Sequence, residues 1–339
     1  MKKRPPVIKD IAEILNISVS TVSRALRDTY DVNPETRNKV LAVANQLKYK
    51  PNIHASALAS GNTKNIGVVI PFITNYYFST VISGIQETAY QNGYNLILLV
   101  TNDSAEREQS MIENLSITSL DGLLVSISSN SIMVDHFQSL IDNGISVVFF
   151  DRVPKDVEAT KVMQDDFQGA FDATEHLIHN GYTRIAHIAG NEHLTFTQNR
   201  LHGYLEALKK HQIPFREEWI IYSGFSQQCG EDDMKKLLSL NEQPDAVFAV
   251  NDRKAVGAIC TLKNSGLRVG KDIGVIGFTN DPISTIIDPP LSTIEEPAFD
   301  IGKQSCELLI KHIGNKKILP KEIILPSKLI IRESSKRES

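Results

Sequence analysis

Apolar side chains recur at three- and four-residue intervals in three successive segments of the first 50 residues. Such spacing collects apolar residues on one face of a helix, so it predicts three short amphipathic helices. Ser18 and Asn33 precede two of them and can accept the unpaired amide hydrogens of a first turn, and Pro34 suits a first helical position. The apolar positions are Ile8, Ile11, Ala12 and Leu15, then Thr21, Val22, Ala25 and Leu26, then Val40, Val43, Ala44 and Leu47.

The second segment has a polar face made mainly of short side chains. Short side chains let a helix sit deep in the major groove, and an arginine can donate two hydrogen bonds to a guanine edge. Two short helices joined by a tight turn, with the second as the reading helix, form a helix-turn-helix. A small helical bundle with a charged face is the alternative interpretation. The face consists of Val19, Ser20, Ser23, Arg24 and Arg27.

Charge distinguishes the first 64 residues from the rest of the chain. They carry eleven Lys and Arg against five Asp and Glu, a net charge of +6. The whole chain has a net charge of −4, so residues 65–339 carry −10. A cationic segment on an acidic body indicates a local module that binds a polyanion, which favours DNA binding over a plain bundle.

A short segment follows the third predicted helix. Pro51 is expected to end that helix, and residues 52–60 then have the composition of a brief helix that Gly61 interrupts. A helix this short is marginal in water without a partner. The segment is therefore either a helix that needs a partner or a flexible linker.

From Ile66 onward, short apolar runs alternate with helical segments such as Tyr76–Gln91. Continuous apolar strands between helices indicate parallel sheets that are covered on both faces. The alternation occurs twice, which predicts two α/β lobes, and the helix near 299–313 with the last two strands is expected to cross between them. A cleft between two such lobes is where a ligand binds. The predicted strands are Ile66–Pro71, Asn95–Val100, Gly122–Ser126, Ser146–Phe150, Arg184–Ala189, Trp219–Tyr222, Ala246–Val250 and Ile273–Gly277.

Three motifs near the start of the chain resemble the headpiece of LacI-family bacterial transcription regulators. They are Val7–Ala12 (VIKDIA), Ile17–Leu26 (ISVSTVSRAL) and Tyr49–Asn52 (YKPN). The resemblance, looser over the rest of the chain, implies a repressor whose operator affinity is set by a small molecule. It implies an α/β protein with a helix-turn-helix headpiece (1–50), a hinge helix or linker (51–64), and a two-lobed body like periplasmic sugar-binding proteins for effector binding and dimerisation (65–339).

The polar face and the resemblance together give the predicted DNA contacts. In the family, a leucine of the hinge helix, here Leu58, wedges between central base pairs in the minor groove. Ser56 departs from the arginine that the family usually has. The expected partner is palindromic operator DNA, bound by a homodimer or a higher oligomer. The predicted contacts are Ser18, Val19, Ser20, Thr21, Ser23, Arg24, Asn52 and Leu58.

The ends of the predicted parallel strands supply carboxylates, amides and aromatic rings, which suit a hydroxyl-rich or heterocyclic ligand. A sugar or sugar derivative that bridges Asp151 and Arg200 from opposite lobes fits this set best, and a purine comes second. Thr279 departs from the aspartate common in the family, so Asn280 or Asp281 would have to replace that carboxylate. By resemblance and position, the predicted effector contacts are Phe72, Asp151, Arg200, Phe225, Asn251, Thr279 and Asn280.

Other functions have little support in the sequence. No dinucleotide-binding, P-loop or nucleophile-elbow motif occurs, so we expect no enzyme and no cofactor. Three widely spaced cysteines fit reduced thiols, and we expect a cytoplasmic protein because neither a signal peptide nor a membrane span is recognisable. We expect no metal site. The four histidines that could form one lie on different elements, and no carboxylate or cysteine is recognised near them at ligand spacing. They are His176, His179, His187 and His193.

Two alternative functions remain open at this point. One is a regulator of the same class whose coeffector is a protein. The other is a transport-type ligand-binding protein without DNA function, in which the basic first segment is incidental.

Overall fold

Two units make up the chain, Met1–Lys64 and Asn65–Ser339. The computed structural model describes residues 4, 6–26, 32–49, 62–115, 119–131, 133–315 and 317–337. Asn52, Leu58 and Arg27 lie outside these residues, so the hinge helix and its DNA contacts stay predictions.

Three helices form the first unit, as the apolar pattern predicts: α1 (Ile8–Leu15), α2 (Val19–Leu26) and α3 (Pro34–Gln46). Ser18 Oγ accepts the Thr21 amide at 3.1 Å, and Asn33 Oδ1 accepts the Glu35 amide at 2.8 Å, so both predicted caps are present. The small core consists of six buried residues at predicted apolar positions: Ile11, Ala12, Val22, Ala25, Val40 and Ala44.

Strands and helices alternate through the second unit. In chain order its elements are β1 (Asn65–Ile70), α4 (Tyr76–Gln91), β2 (Asn95–Val100), α5 (Ala105–Glu113), β3 (Gly122–Val125), α6 (Asp135–Asp142), β4 (Ser146–Phe150), β5 (Thr160–Gln164), α7 (Asp166–His179), β6 (Ile185–Ala189), α8 (Thr195–Lys210), β7 (Ile220–Tyr222), α9 (Gln227–Leu238), β8 (Ala246–Ala249), α10 (Asp252–Asn264), β9 (Gly274–Ile276), α11 (Ile283–Ile286), β10 (Thr293–Glu295), α12 (Ala298–Gly314), β11 (Glu322–Leu325) and β12 (Lys328–Ile330).

The first lobe is a six-stranded parallel sheet in the order β11-β5-β4-β3-β1-β2. Alternate side chains of β4 point to opposite faces: Val148 and Phe150 pack with α4 and α12, whereas Val147 and Phe149 pack with α5 and α6. The edge strand β2 is less covered than the sequence analysis expects, since Ile97 and Leu98 are each 38% exposed.

The second lobe is a four-stranded parallel sheet in the order β7-β6-β8-β9. In β8, Ala246 and Phe248 face α7 and α8, whereas Val247 and Ala249 face α9 and α10. Helices therefore cover both faces of the central strands in both lobes, which confirms the predicted α/β class.

The chain crosses between the lobes near its end, as predicted. After β10 in the second lobe, α12 packs in the core of the first lobe, and β11 pairs there with β5. The last strand, β12, returns to pair antiparallel with β10. Among the residues described, no helix combines the length and apolar character that crossing a bilayer requires.

Candidate ligand cleft and DNA-reading surface

Helix α2 presents one buried and one exposed face. Val22 and Ala25 are buried against the other two helices, whereas Ser20 and Arg24 are exposed. Ser18 Oγ lies 2.7 Å from Ser20 Oγ and 2.8 Å from Thr21 Oγ1, so this hydroxyl caps the helix. Of the other predicted contacts, Ser18 and Val19 are exposed, and Thr21 and Ser23 are half-buried. The first unit thus has an exposed surface of small polar side chains with a cation, the composition that major-groove reading requires.

A cavity of about 780 Å³ lies between the two lobes of the second unit. Residues just beyond the carboxyl ends of β1 to β4 line it from one lobe, and residues beyond β6 to β9 line it from the other. This is the position at which open parallel sheets bind ligands. Six of the seven predicted effector residues line the cavity: Phe72, Asp151, Arg200, Phe225, Asn251 and Thr279.

Asn280 is the exception, because it does not line this cavity. Its backbone has a φ of 59°, and the side chain points to the protein, where Oδ1 accepts from the Arg332 guanidinium at 2.8 Å and Nδ2 donates to Glu295 at 3.0 Å. Asp281 does not line the cavity either, since its Oδ1 accepts the Ile283 amide. The carboxylate on the cavity wall beside Thr279 comes instead from Glu296.

Arg200 is held by protein groups on every side of its guanidinium. The side chain is almost fully buried: Nε donates to Asp166 Oδ1 at 2.8 Å, one terminal nitrogen to the Val250 carbonyl at 2.5 Å, and the other to Glu296 Oε1 at 2.6 Å. The Phe278 ring lies 3.5 Å from the guanidinium carbon. Because its donors are engaged within the second unit, Arg200 fixes the geometry of the wall.

The carboxylates around Arg200 have raised pKa values, mainly because they are buried. Burial raises the pKa of Asp166 to about 6 and that of Glu296 to about 7, even though Arg200 lowers both. Burial also raises the pKa of Asp151, against the lowering effects of Arg152 and Arg200. These buried carboxyl groups therefore hold protons more tightly than exposed carboxylates do.

On the first-lobe wall, Asp151 follows β4 with a left-handed φ of 58° and accepts a hydrogen bond from Ser126 Oγ at 3.3 Å. The next residue, Arg152, donates to Asp103 Oδ1 at 2.6 Å and to Ser129 Oγ at 3.0 Å. Asp151 is therefore a carboxylate at the cavity that has neutral side-chain hydrogen-bond partners, Ser126 and Gln164, whereas the adjacent cation Arg152 is paired with a carboxylate.

Aromatic rings and amides complete the lining. The guanidinium of Arg152 lies 5.3 Å from the centre of the Phe225 ring, and the rings of Phe196 and Phe225 are 5.6 Å apart. Asn251 caps α10 by accepting the Lys254 amide at 2.8 Å and donates to the Phe225 carbonyl at 3.1 Å. This residue supports the loop that carries Phe225 as well as lining the cavity.

Hydrogen bonds also join the two walls directly. Asn191 Nδ2 of the second lobe donates to Asn130 Oδ1 of the first at 3.0 Å, and Arg253 donates to the Thr74 carbonyl at 2.8 Å. Contacts of this kind form only when the lobes are close together, so they hold the cavity in the geometry described.

Sequence reasoning missed several residues of the lining. Arg152 directly follows Asp151, and its charge at a strand end is a signal that could have identified it. Tyr77 lies on α4, and its hydroxyl donates to Gln164 at 3.1 Å. Glu296 follows a short strand that the apolar pattern does not reveal, and so does Asp166, which binds Arg200 but does not itself line the cavity. The sequence predicts no carboxylate near the histidines at ligand spacing, and the structure contradicts this prediction. A potential ligand atom of Glu175 lies within 4.8 Å of one of His179.

Comparisons with known proteins agree with both halves of this arrangement. The profile described as bacterial regulatory proteins, lacI family, matches residues 7–52. The profile described as periplasmic binding proteins and sugar binding domain of LacI family matches residues 63–333.

Individual proteins match along nearly the whole chain. The HTH-type transcriptional repressor PurR of Vibrio vulnificus is 32% identical over 332 residues, which cover 97% of this chain and 98% of that protein. The lac repressor dimer bound to operator and the anti-inducer ONPF superposes with a TM-score of 0.85 at 25% identity, covering 98% of this chain and 99% of that one. A complex of the regulator CelR with cellobiose gives a TM-score of 0.73 at 26% identity, and the match covers 97% of this chain and 99% of that one. The chain therefore belongs to the LacI family of bacterial regulatory proteins, as a DNA-binding transcription regulator controlled by a small-molecule effector.

Proposed function

We propose that this regulator is a repressor that binds an approximately palindromic operator as a homodimer and that its effector is a neutral sugar or sugar derivative. The observation that carries the effector class is the cavity wall, where Asp151 offers carboxylate oxygens close to aromatic rings. The effector binds between the lobes and sets operator affinity, and the protein acts in the cytoplasm without catalysing a reaction.

The engagement of the cavity arginines supports an uncharged effector. Arg152 donates to Asp103, Arg200 to Asp166 and Glu296, and Arg253 to a backbone carbonyl. An anionic ligand such as a sugar phosphate would have to break one of these bonds and approach the carboxyl groups of Asp151 and Glu296 on the cavity walls. Desolvating an anion there is costly without a free cation.

Hydroxyl groups match the remaining lining better than a purine does. A carboxylate such as Asp151 accepts hydrogen bonds from a pair of hydroxyls, and a sugar ring can lie against the Phe225 or Phe72 ring. A purine stacks equally well, but it presents fewer donors to Asp151. The relative crystallised with cellobiose is a regulator with a carbohydrate bound, which supports the same class of effector.

The edge strand β2 supports a dimer. Its two exposed apolar side chains, Ile97 and Leu98, lie on an unpaired sheet edge, and such an edge is usually covered by a partner. The matched lac repressor structure is a dimer on its operator. Two-fold protein symmetry is mirrored by two half-sites in the DNA. A transport-type function is disfavoured by the helix-turn-helix profile over residues 7–52.

A thermal-shift screen tests the effector class. We expect a neutral mono- or disaccharide to raise the melting temperature by several degrees, because a ligand at a hundredfold excess over Kd adds about 2.7 kcal/mol to the folded state. Sugar phosphates and nucleobases should shift it less. Asp151→Asn removes the carboxylate charge at nearly constant size and should abolish most of the shift.

The matched control is Asp288→Asn, since that carboxylate is 90% exposed and distant from the cavity lining. It should keep the whole shift. A full shift in Asp151→Asn, or a larger shift with sugar phosphates, would exclude a neutral sugar bound at Asp151. If no compound shifts the protein, a protein coeffector becomes the better proposal.

A further inference from the structure

Helices α7 and α8 run side by side in the same direction on one face of the second lobe. Their approach is close at Gly203, where a Cβ would lie 2.2 Å from the Phe167 carbonyl oxygen. Further along, Lys210 Nζ lies 2.8 Å from Glu175 Oε1 and 5.1 Å from the centre of the Phe171 ring. The two helices therefore end close to each other, on the surface of the protein.

A carboxylate and two imidazoles meet at these helix ends. Glu175 and His179 are one turn apart on α7, and His211 directly follows α8. His211 Nε2 lies 2.8 Å from Glu175 Oε1, and the His179 and His211 rings are 5.3 Å apart at 87°. One potential ligand atom from each of the three residues lies within 4.8 Å of the other two.

The donor set and its location favour a metal cation. Two imidazole nitrogens with a carboxylate oxygen form a ligand type that binds Zn²⁺, with water in the remaining position. The carboxyl ends of two helices lie at this surface, and the negative end of a helix dipole attracts positive charge.

We propose that Glu175, His179 and His211 form a binding site for a divalent transition-metal ion of the Zn²⁺ class. Without metal, the Lys210 ammonium contacts Glu175 Oε1, and the Lys210 side chain is 58% exposed, so it can turn toward solvent. The metal displaces this ammonium and joins the ends of α7 and α8. This site is separate from the cavity, since none of its three ligands lines that wall.

Isothermal titration of the full-length chain, without a histidine tag, by ZnCl₂ tests the proposal. We expect one ion per chain, and MgCl₂ should give no comparable binding because Mg²⁺ prefers oxygen ligands. His179→Gln and His211→Gln should each weaken Zn²⁺ binding about tenfold or more, since even groups that only support metal ligands cost about 10- to 100-fold. His202→Gln is the matched control, because His202 is an exposed histidine of α8 outside the cluster.

Lys210→Gln provides a test in the opposite direction. Removing the competing ammonium should tighten Zn²⁺ binding, an effect that a purely structural role of Lys210 would not produce. Circular dichroism of each variant checks that the helices are retained. The proposal is overturned if the full-length chain does not bind Zn²⁺ at this stoichiometry, if both histidine variants bind as tightly as the His202 control, or if Lys210→Gln weakens binding.

Discussion

Replacing Arg200 by alanine is expected to destabilise the second unit by about 3–5 kcal/mol at pH 8. Removing one partner of a buried ion pair leaves the other charge without compensation, and that cost is far larger than the net contribution of an intact pair. Here two carboxylates, those of Asp166 and Glu296, lose the guanidinium that both contact. Urea unfolding followed by fluorescence measures the difference.

The loss of unfolding free energy in Arg200→Ala should become smaller as the pH falls. The folded-state pKa values of Asp166 (about 6) and Glu296 (about 7) lie above their ordinary values of 3.8 and 4.5. The folded chain therefore binds protons more tightly than the unfolded chain, and stability falls as the pH rises through this range. Without Arg200 both pKa values rise further, so the variant differs least from the wild type near pH 5.

Arg216→Ala is the control variant, because it removes a surface arginine in place of the buried Arg200. Its side chain is 41% exposed, and its guanidinium pairs with Glu218 and Glu242. Exposed pairs contribute about 1 kcal/mol or less, so this variant should change stability little at either pH. Equal effects of the two substitutions, or a deficit in Arg200→Ala that grows toward acid, would contradict the role assigned to Arg200.

Val40→Asp is expected to abolish specific DNA binding. Val40 is fully buried in the core of the first unit, and an aspartate there has to be desolvated without a partner. A domain this small has a small free energy of unfolding, so the helix-turn-helix should unfold. The loss of operator affinity should reach about a thousandfold or more, the usual margin between specific and non-specific binding. Gel shift measures it.

Leu41→Asp separates unfolding from charge repulsion. Leu41 is the next residue of α3 but is 36% exposed, so the same new charge remains solvated. We expect only a few-fold loss of DNA affinity from the added negative charge. Both variants should keep the thermal shift given by the effector, because the second unit is unchanged. A similar loss of DNA binding in both would mean that charge, and not the fold of the first unit, explains the effect.

Much of the fold follows from apolar patterning. The bounds of β2, β4 and α4 agree with the predicted segments, because the two strands are continuous apolar runs and the helix has a clear helical period. The strand β5 is not predicted from the apolar pattern, because Lys161 interrupts its apolar run. The Lys161 ammonium contacts Glu322 of β11 and the Lys155 carbonyl. One of the two partner strands of β5, β11, lies about 160 residues away, so no local pattern reveals that pairing.

The sequence predicts a residue of the candidate site only where that residue directly follows a strand that the apolar pattern also predicts. Phe72, Asp151 and Asn251 follow strands with strong apolar patterns, and all three line the cavity. Asp166 and Glu296 follow β5 and the three-residue β10, which lack such patterns, so the ion cluster around Arg200 could not be anticipated. The prediction that Asn280 contacts the effector is wrong. Its backbone is left-handed, and its side chain binds Arg332, which lies 52 residues further along the chain and could not be anticipated from the local sequence.

One measurement tests the central claim, that a ligand in the cleft sets DNA affinity. An operator is first selected from a random DNA library with the full-length chain, and its Kd is then measured by fluorescence anisotropy with and without the effector from the screen. We predict an approximately palindromic site and a change in Kd of about 5- to 150-fold, the range of usual allosteric coupling, which Asp151→Asn removes without changing Kd in the ligand-free state. An unchanged Kd in a sample whose thermal shift proves that the cleft is saturated would contradict the account.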